Sequence, residues 1–217
     1  MEWVVPLLAT SLPAIIDPAG ATKMMGSLLT VAEVRQSNAA AMIAAMLGAG
    51  PPEVQHAVVE AVVTHGAIAG LVAQLSPRGS PDARLHAASA LWEMREHRRL
   101  IPDILAAGGV THLATLCKAT PGAKDAPPVD TLSAALGVMW FLSMDERAAR
   151  EIAKSGAMPS LVTHLSSKSD GVRFNAAGCL RCLSCDDDIL QAMLDPTYVI
   201  DAEEDEDEGG VGESGDE

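Results

Sequence analysis

Apolar positions in this chain fall in blocks that repeat along its length. Three stretches superpose without gaps: His65 to Leu75, Ala107 to Cys117 and Ser155 to Leu165. Each opens on a small or polar residue and a glycine, then places apolar side chains at the offsets of one helix face, as at Ile68, Leu71, Val72 and Leu75. A polar turn follows each stretch, and then an alanine-rich helical pattern: Leu85 to Met94, Ser133 to Ser143 and Phe174 to Ser184. A weaker copy begins at Ala19-Gly20-Ala21 and ends in Ala39 to Leu47. The leading glycines, Gly20, Gly66, Gly108 and Gly156, are 46, 42 and 48 residues apart, close to the ~40–47 residues of two- and three-helix repeat units.

The turn chemistry predicts where each helix stops. Gly66, Gly108 and Gly156 sit where a first helix must end and redirect the chain, a place that favours positive φ. Ser80-Pro81-Asp82 offers an N-cap followed by proline at the first helical position, and Asp130 and Asp170 are candidate caps for the matching helices of later copies. The expected unit is therefore a short helix, a glycine turn, a second helix and a long third helix. One such unit cannot bury its own apolar face, whereas a stack shares a continuous core.

Composition supports the helical reading. Apolar residues make up 48% of the chain but aromatics only 3%, so a core must come from Ala, Leu, Val, Ile and Met, most of which favour helix. No strand-period alternation or Asn-Gly or Asp-Gly hairpin signal is present. The fold class expected is all-α: a right-handed α-solenoid of about four repeats over residues 1–194, followed by an acidic, disordered tail over 195–217.

These residues resemble the armadillo repeat family, whose pattern runs Gly-Ala-Ile-Pro-x-Leu-Val-x-Leu-Leu and later Ala-Ala-x-Ala-Leu-x-Asn-Leu-Ser. Ser155 to Ser184 follows it closely, and the resemblance extends over roughly residues 3–194, with the third helix of a truncated preceding unit opening at Trp3. HEAT repeats are the near alternative, and the glycine before the second helix favours armadillo. The resemblance implies a protein-binding superhelix and leaves the partner open. In the family, the Asn of the Asn-Leu-Ser ending lines a concave groove and can hold a peptide backbone. That position is here Met46, Glu93, Phe141 and Cys182, and the tryptophan that importin-α-like proteins carry one turn earlier is Met42, Ser89, Gly137 and Gly178. A nuclear transport adaptor reading basic signals is therefore disfavoured, because the amide ladder and the aromatic slots are both missing.

Charge alters the picture less than the total suggests. The chain has 15 basic and 29 acidic residues, a net −14, yet ten of the acids lie between Asp201 and Glu217, where no Lys or Arg occurs. The preceding 200 residues, with 15 basic against 19 acidic, are close to balanced. No basic stripe marks a nucleic-acid surface, and no apolar run is long enough to span a membrane. The apolar run from Trp3 to Ala9 is preceded only by Glu2, which does not fit a secretory signal. Four clustered cysteines do not form a disulfide framework, and the expected setting is cytoplasmic or nuclear.

The candidate chemistry is slight. Cys179, Cys182 and Cys185 share the spacing of part of an iron–sulfur ligand set, but Cys179 and Cys182 occupy the positions of Ala90 and Glu93 in another copy of a continuous helix, so the spacing reflects helical faces. The six histidines are dispersed; His65 and His164 read as surface or turn positions. No hydrolase, nucleotide or dinucleotide motif is found. No cofactor, metal or catalytic residue is expected. The candidate protein-binding residues are Glu93, Phe141 and Cys182 on the Asn positions, with Trp92 and Trp140, which occupy equivalent places and are followed in register by Arg181. A position that accepts Arg is not fully buried, so the tryptophans are candidate anchors; packing between repeats is the competing reading.

Three further segments carry weaker signals. Arg95 to Arg99 is a local basic cluster, and Lys118 to Asp130 lengthens its unit by about six residues relative to the neighbouring repeats. The tail suits basic partners, and Ser214, ahead of Asp216 and Glu217, resembles an acidic-kinase target. The function expected is a non-catalytic protein-binding scaffold that takes other proteins or extended peptides in its groove, with no nucleic-acid or membrane partner. The alternatives are a transport adaptor, or a piece of a ubiquitin ligase or other regulatory protein whose catalytic domain lies elsewhere.

Overall fold

A computed structural model describes residues 33–77, 79–119 and 126–195, together with Thr197 and Ile200. The first glycine copy at Gly20, the opening segment at Trp3, residues 120–125 of the inserted loop and the acidic tail lie outside the described residues. Among the described residues every regular element is helical: α1 (Glu33–Ala49), α2 (Pro52–Thr64), α3 (Ala67–Gln74), α4 (Pro81–Glu93), a 3₁₀ turn (Arg98–Leu100) running into α5 (Ile101–Ala106), α6 (Gly109–Lys118), α7 (Val129–Leu142), α8 (Glu146–Lys154), α9 (Met158–His164), α10 (Asp170–Leu183) and α11 (Asp187–Leu194).

These fall into three complete units. Helices α2, α3 and α4 make the first, α5 to α7 the second and α8 to α10 the third, while α1 is the third helix of a preceding unit and α11 the first helix of a following one. Within a unit the first and second helices meet nearly at right angles, 91° between α2 and α3 and 82° between the turn-plus-α5 segment and α6. The three glycines make that corner: Gly66, Gly108 and Gly156 are left-handed, with φ of 62°, 75° and 72°. A Cβ there would strain the backbone although it would meet open space at Gly66 and Gly108. No described helix is long and apolar enough to cross a membrane.

Stacking runs through like helices. Third helices pack in series, α1 on α4, α4 on α7 and α7 on α10, and second helices do the same, α3 on α6 and α6 on α9. One continuous apolar core results, built from small and branched side chains such as Ile43, Leu71, Leu91, Leu113, Leu136 and Met139, all fully buried. Alanines on the third helices, including Ala40, Ala88 and Ala135, are wholly buried and allow neighbouring helices to approach closely.

The caps agree with expectation at one site and correct it at two. Ser80 Oγ accepts a bond from the Ala83 N–H at 3.1 Å, with Pro81 opening α4. Asp130 does not cap α7, whose N-cap is Pro128, because an extended Pro127-Pro128 entry places Asp130 one residue inside the first turn. Asp170 likewise begins α10, and Ser169 is its cap, accepting from Val172 N–H. In both places the carboxylate sits where it meets the positive end of the helix dipole. Asp145 and Asp186 cap α8 and α11. A further correction concerns His164: His65 is exposed, but His164 is buried, its Nε2 lying 2.8 Å from the Cys117 carbonyl oxygen. That contact ties α9 to the end of α6, so the side chain is a bridge between units.

Candidate protein-binding groove

The series of third helices lays equivalent positions side by side. Trp92 in α4 lies over Gly137 of α7, where a Cβ would come within 2.7 Å of the ring, and Trp140 in α7 lies over Gly178 of α10, where it would come within 2.6 Å. Each tryptophan thus rests on a glycine three residues before its own counterpart in the next unit. Glycine inside a helix costs ~0.5–1 kcal/mol relative to alanine; here that loss opens a seat for an indole.

A row of aromatic rings results. The Trp92 and Trp140 ring centroids are 6.5 Å apart, and Phe174 of α10 meets Trp140 edge-on at 5.3 Å and 80°. Such separations lie within the attractive range for aromatic pairs. Both tryptophans are half-buried against the core, whereas Phe174 is 66% exposed. Trp140 Nε1–H is out of solvent with no acceptor among the described residues. At the α4 end the Arg95 guanidinium stands 4.4 Å from the Trp92 ring centroid, a cation–π contact, and Arg95 also reaches Glu93 at 3.6 Å and Glu96 at 3.8 Å. At the far end Arg181 is exposed. Asn175 Nδ2 donates to the Ser133 carbonyl at 2.7 Å, fastening α10 to α7 beneath the row.

The residues expected from the repeat register do not form one set. Glu93 is half-buried beside Gly48 of α1 and paired with Arg95. Trp92 and Trp140 are brought together. Phe141 is not a groove residue: at 2% exposure it is among the largest fully buried side chains. A ring at that register gains more from the apolar space beside α7 than it could from water. Met46, at the same register in α1, is buried as well. Cys182 is half-buried and lines, with Cys185, Arg181, Arg98 and Asp186, a separate cleft of about 720 Å³ at the ends of the third helices. Phe174 is the residue missed. Its equivalents are Leu85 and Ser133, so the repeat pattern carries no aromatic signal there.

Cys117, Cys179 and Cys182 lie on helices, and Cys185 lies in the turn after α10. Cys179 and Cys117 are buried, and loss of water pushes the Cys179 thiol up to about 12 and Cys117 further still. Among the described residues no group of three or more His, Cys, Asp or Glu side chains is placed to hold a metal. The basic cluster is partly engaged, since Arg99 pairs with Glu60 of α2.

The sequence profile of the Armadillo/beta-catenin-like repeat matches residues 145–184, which span α8, α9 and α10. No match is found among curated proteins. Solved structures match over most of the chain. An engineered protein is 26% identical with a TM-score of 0.67, over 86% of this chain and 71% of that one. A designed armadillo repeat protein is 24% identical with a TM-score of 0.61, over 76% of this chain and 65% of that one. A second design, solved in complex with the peptide (KR)4, is 21% identical with a TM-score of 0.59, over 76% of this chain and 64% of that one. The chain spans about two thirds of the length of the designed armadillo proteins it matches. The chain has the fold of an armadillo-type α-solenoid, and residues 145–184 match the sequence of the repeat itself.

Proposed function

We propose that the chain is a non-catalytic protein-binding scaffold that takes an extended partner segment along its third helices. The observation that carries this reading is the aromatic row Trp92, Trp140 and Phe174, continuous across three units and ending in one strongly exposed ring. Rigid aromatics give large contact area at low entropy cost and are frequent binding anchors. Designed armadillo proteins made for modular peptide recognition share the fold, which supports a peptide ligand. The basic-peptide mode is disfavoured, because Glu93 is already paired and Phe141 and Met46 are buried where an amide ladder would stand.

The test is an array of extended peptides titrated against the full chain by tryptophan fluorescence, with (KR)4 included. Peptides carrying aliphatic or aromatic side chains at alternate positions are expected to bind, and (KR)4 to bind more weakly. Phe174→Ala should weaken the best ligand about tenfold, as expected for loss of one anchor of at least ~1.4 kcal/mol. If no peptide distinguishes the parent chain from Phe174→Ala, the groove reading fails.

A further inference from the structure

We infer that the cleft at the ends of the third helices is a thiol-modification site, in which Cys185 takes up a small zwitterionic thiol from its disulfide and Cys182 resolves the adduct. The site is separate from the aromatic row and stands without it. Both thiols line the cleft of about 720 Å³. Cys185 is exposed and Cys182 half-buried, where α10 ends. The exposure of Cys185 belongs to its place in the unit. Its counterparts Glu96 and Met144 also stand in solvent, although a further unit follows each of them.

The backbone sets the two thiols side by side. Cys185 N–H donates to the Cys182 carbonyl oxygen at 3.1 Å, closing a four-residue turn. Such a turn keeps its end Cα atoms within ~7 Å, and a disulfide spans ~4.4–6.8 Å between them. Cys185 Sγ lies 3.4 Å from the Arg181 carbonyl oxygen. A thiol is a weak donor, so that contact is given up readily when the sulfur reacts.

Charge in the cleft suits a ligand that bears both signs. Arg150 is met by Glu146 and Asp186, each at 3.5 Å, and by Asp188 at 3.8 Å. Those carboxylates are engaged within the wall. Arg98 and Arg181 line the same cleft, both exposed, and neither pairs with a carboxylate among the described residues. Arg98 Nη2 has instead the uncharged Met144 Sδ at 3.9 Å. Asp187, on the edge formed by α11, is exposed. The cleft therefore offers two guanidinium groups and a carboxylate. A γ-glutamyl tripeptide thiol of the glutathione type carries the converse set, two carboxylates and an ammonium. Guanidinium groups hold carboxylates through charge-assisted hydrogen bonds, which brings the ligand's sulfur to a thiol that is already accessible.

Two exchange steps complete the chemistry. The Cys185 thiolate attacks one sulfur of the small disulfide; a bond forms to Cys185 Sγ, the small disulfide's own bond breaks, and the departing thiolate takes up the proton that Cys185 lost. Cys182 then attacks Cys185 Sγ and expels the second small thiol in the same way. Two protein thiols and one small disulfide become one protein disulfide and two small thiols, so no further oxidant is needed.

The experiment treats the full chain with oxidised glutathione and, separately, with the uncharged hydroxyethyl disulfide, following adducts by intact mass and peptide mapping. The parent is expected to form the Cys182–Cys185 disulfide and release reduced glutathione. Cys182→Ser should stop at one glutathione on Cys185, and Cys185→Ser should react far more slowly than either. Arg98→Glu combined with Arg181→Glu should slow the reaction with oxidised glutathione about tenfold, the scale on which local charge alters encounter, and leave the uncharged reagent within about twofold of the parent. Added salt should narrow the same difference. Circular dichroism checks that the variants keep their helices. An equal effect of the charge reversals on both reagents overturns the inference, because Cys185 would then be an exposed thiol without a ligand site. A lasting glutathione adduct on Cys185 of the parent overturns it too, since Cys182 would not resolve it.

Discussion

Two phenylalanines in this protein carry opposite roles, and only their surroundings distinguish them. Phe141 fills the core and Phe174 stands in solvent beside Trp140. Phe141→Ala should cost ~3–5 kcal/mol, the range for a large buried aromatic, and Phe174→Ala less than ~1 kcal/mol, both read from urea unfolding. The glycines divide in the same way. Gly137→Val and Gly178→Val place a side chain into an indole and should each cost ~1–3 kcal/mol through overpacking. Gly70, inside α3 with nothing near its missing Cβ, should instead gain ~0.5–1 kcal/mol as Gly70→Ala. Trp92 and Trp140 were recognisable from the sequence as equivalent positions, and Arg181 at the next copy argued against full burial. The glycines beneath the rings belong to the following unit in each case, so their role emerges only when the helices are side by side.

At the scale of elements, each unit depends on its corner and on side chains that bind one helix to the next. Gly108→Ala should cost ~1–2 kcal/mol, the penalty of a left-handed L-residue, with no steric term because nothing lies within 4 Å. The contact between α2 and the 3₁₀ turn predicts an acid sensitivity. The Arg99 hydrogen bond holds the Glu60 carboxyl below its usual 4.5, so its contribution is present above 4.5 and is lost as pH falls through the lower folded value. Desolvation, with help from Arg99, lowers His97 from its usual 6.5; folding there favours the neutral ring, so stability declines as pH drops below 6.5 toward the folded value. Both groups act in the same direction. The urea midpoint is expected to fall from pH 7 to pH 4, and Glu60→Gln combined with His97→Asn should flatten that fall. The glycine corners and the Ser80 cap were legible because they are local. Asp130 was misplaced by two residues and Asp170 by one, since the exit of the preceding loop, not the acid's own propensity, sets which residue is the cap.

For the whole molecule, stability in a stack is a sum over units and their interfaces. Inner helices have a neighbour on each side, and α11 lacks one. Amide hydrogen exchange should accordingly be slowest in α4 and α7 and much faster in α11. Uniform protection from α4 to α11 would contradict this account. The thiols offer a second global check: Cys185 should react first with an alkylating reagent, Cys182 more slowly, and Cys117 and Cys179 only on unfolding, because burial disfavours their thiolates.

The sequence by itself determined the helical class, the period, the glycine corners and the stacking of units, because these depend on local backbone preference and on apolar spacing repeated every forty or so residues. Only the tertiary structure decided that Phe141 is core and Phe174 surface, that His164 joins two units, and that each tryptophan sits on its neighbour's glycine. Those facts depend on which residues lie opposite one another across units more than forty positions apart. A repeating pattern fixes the register of the helices, while the fate of each side chain depends on whether the next unit is there to cover it.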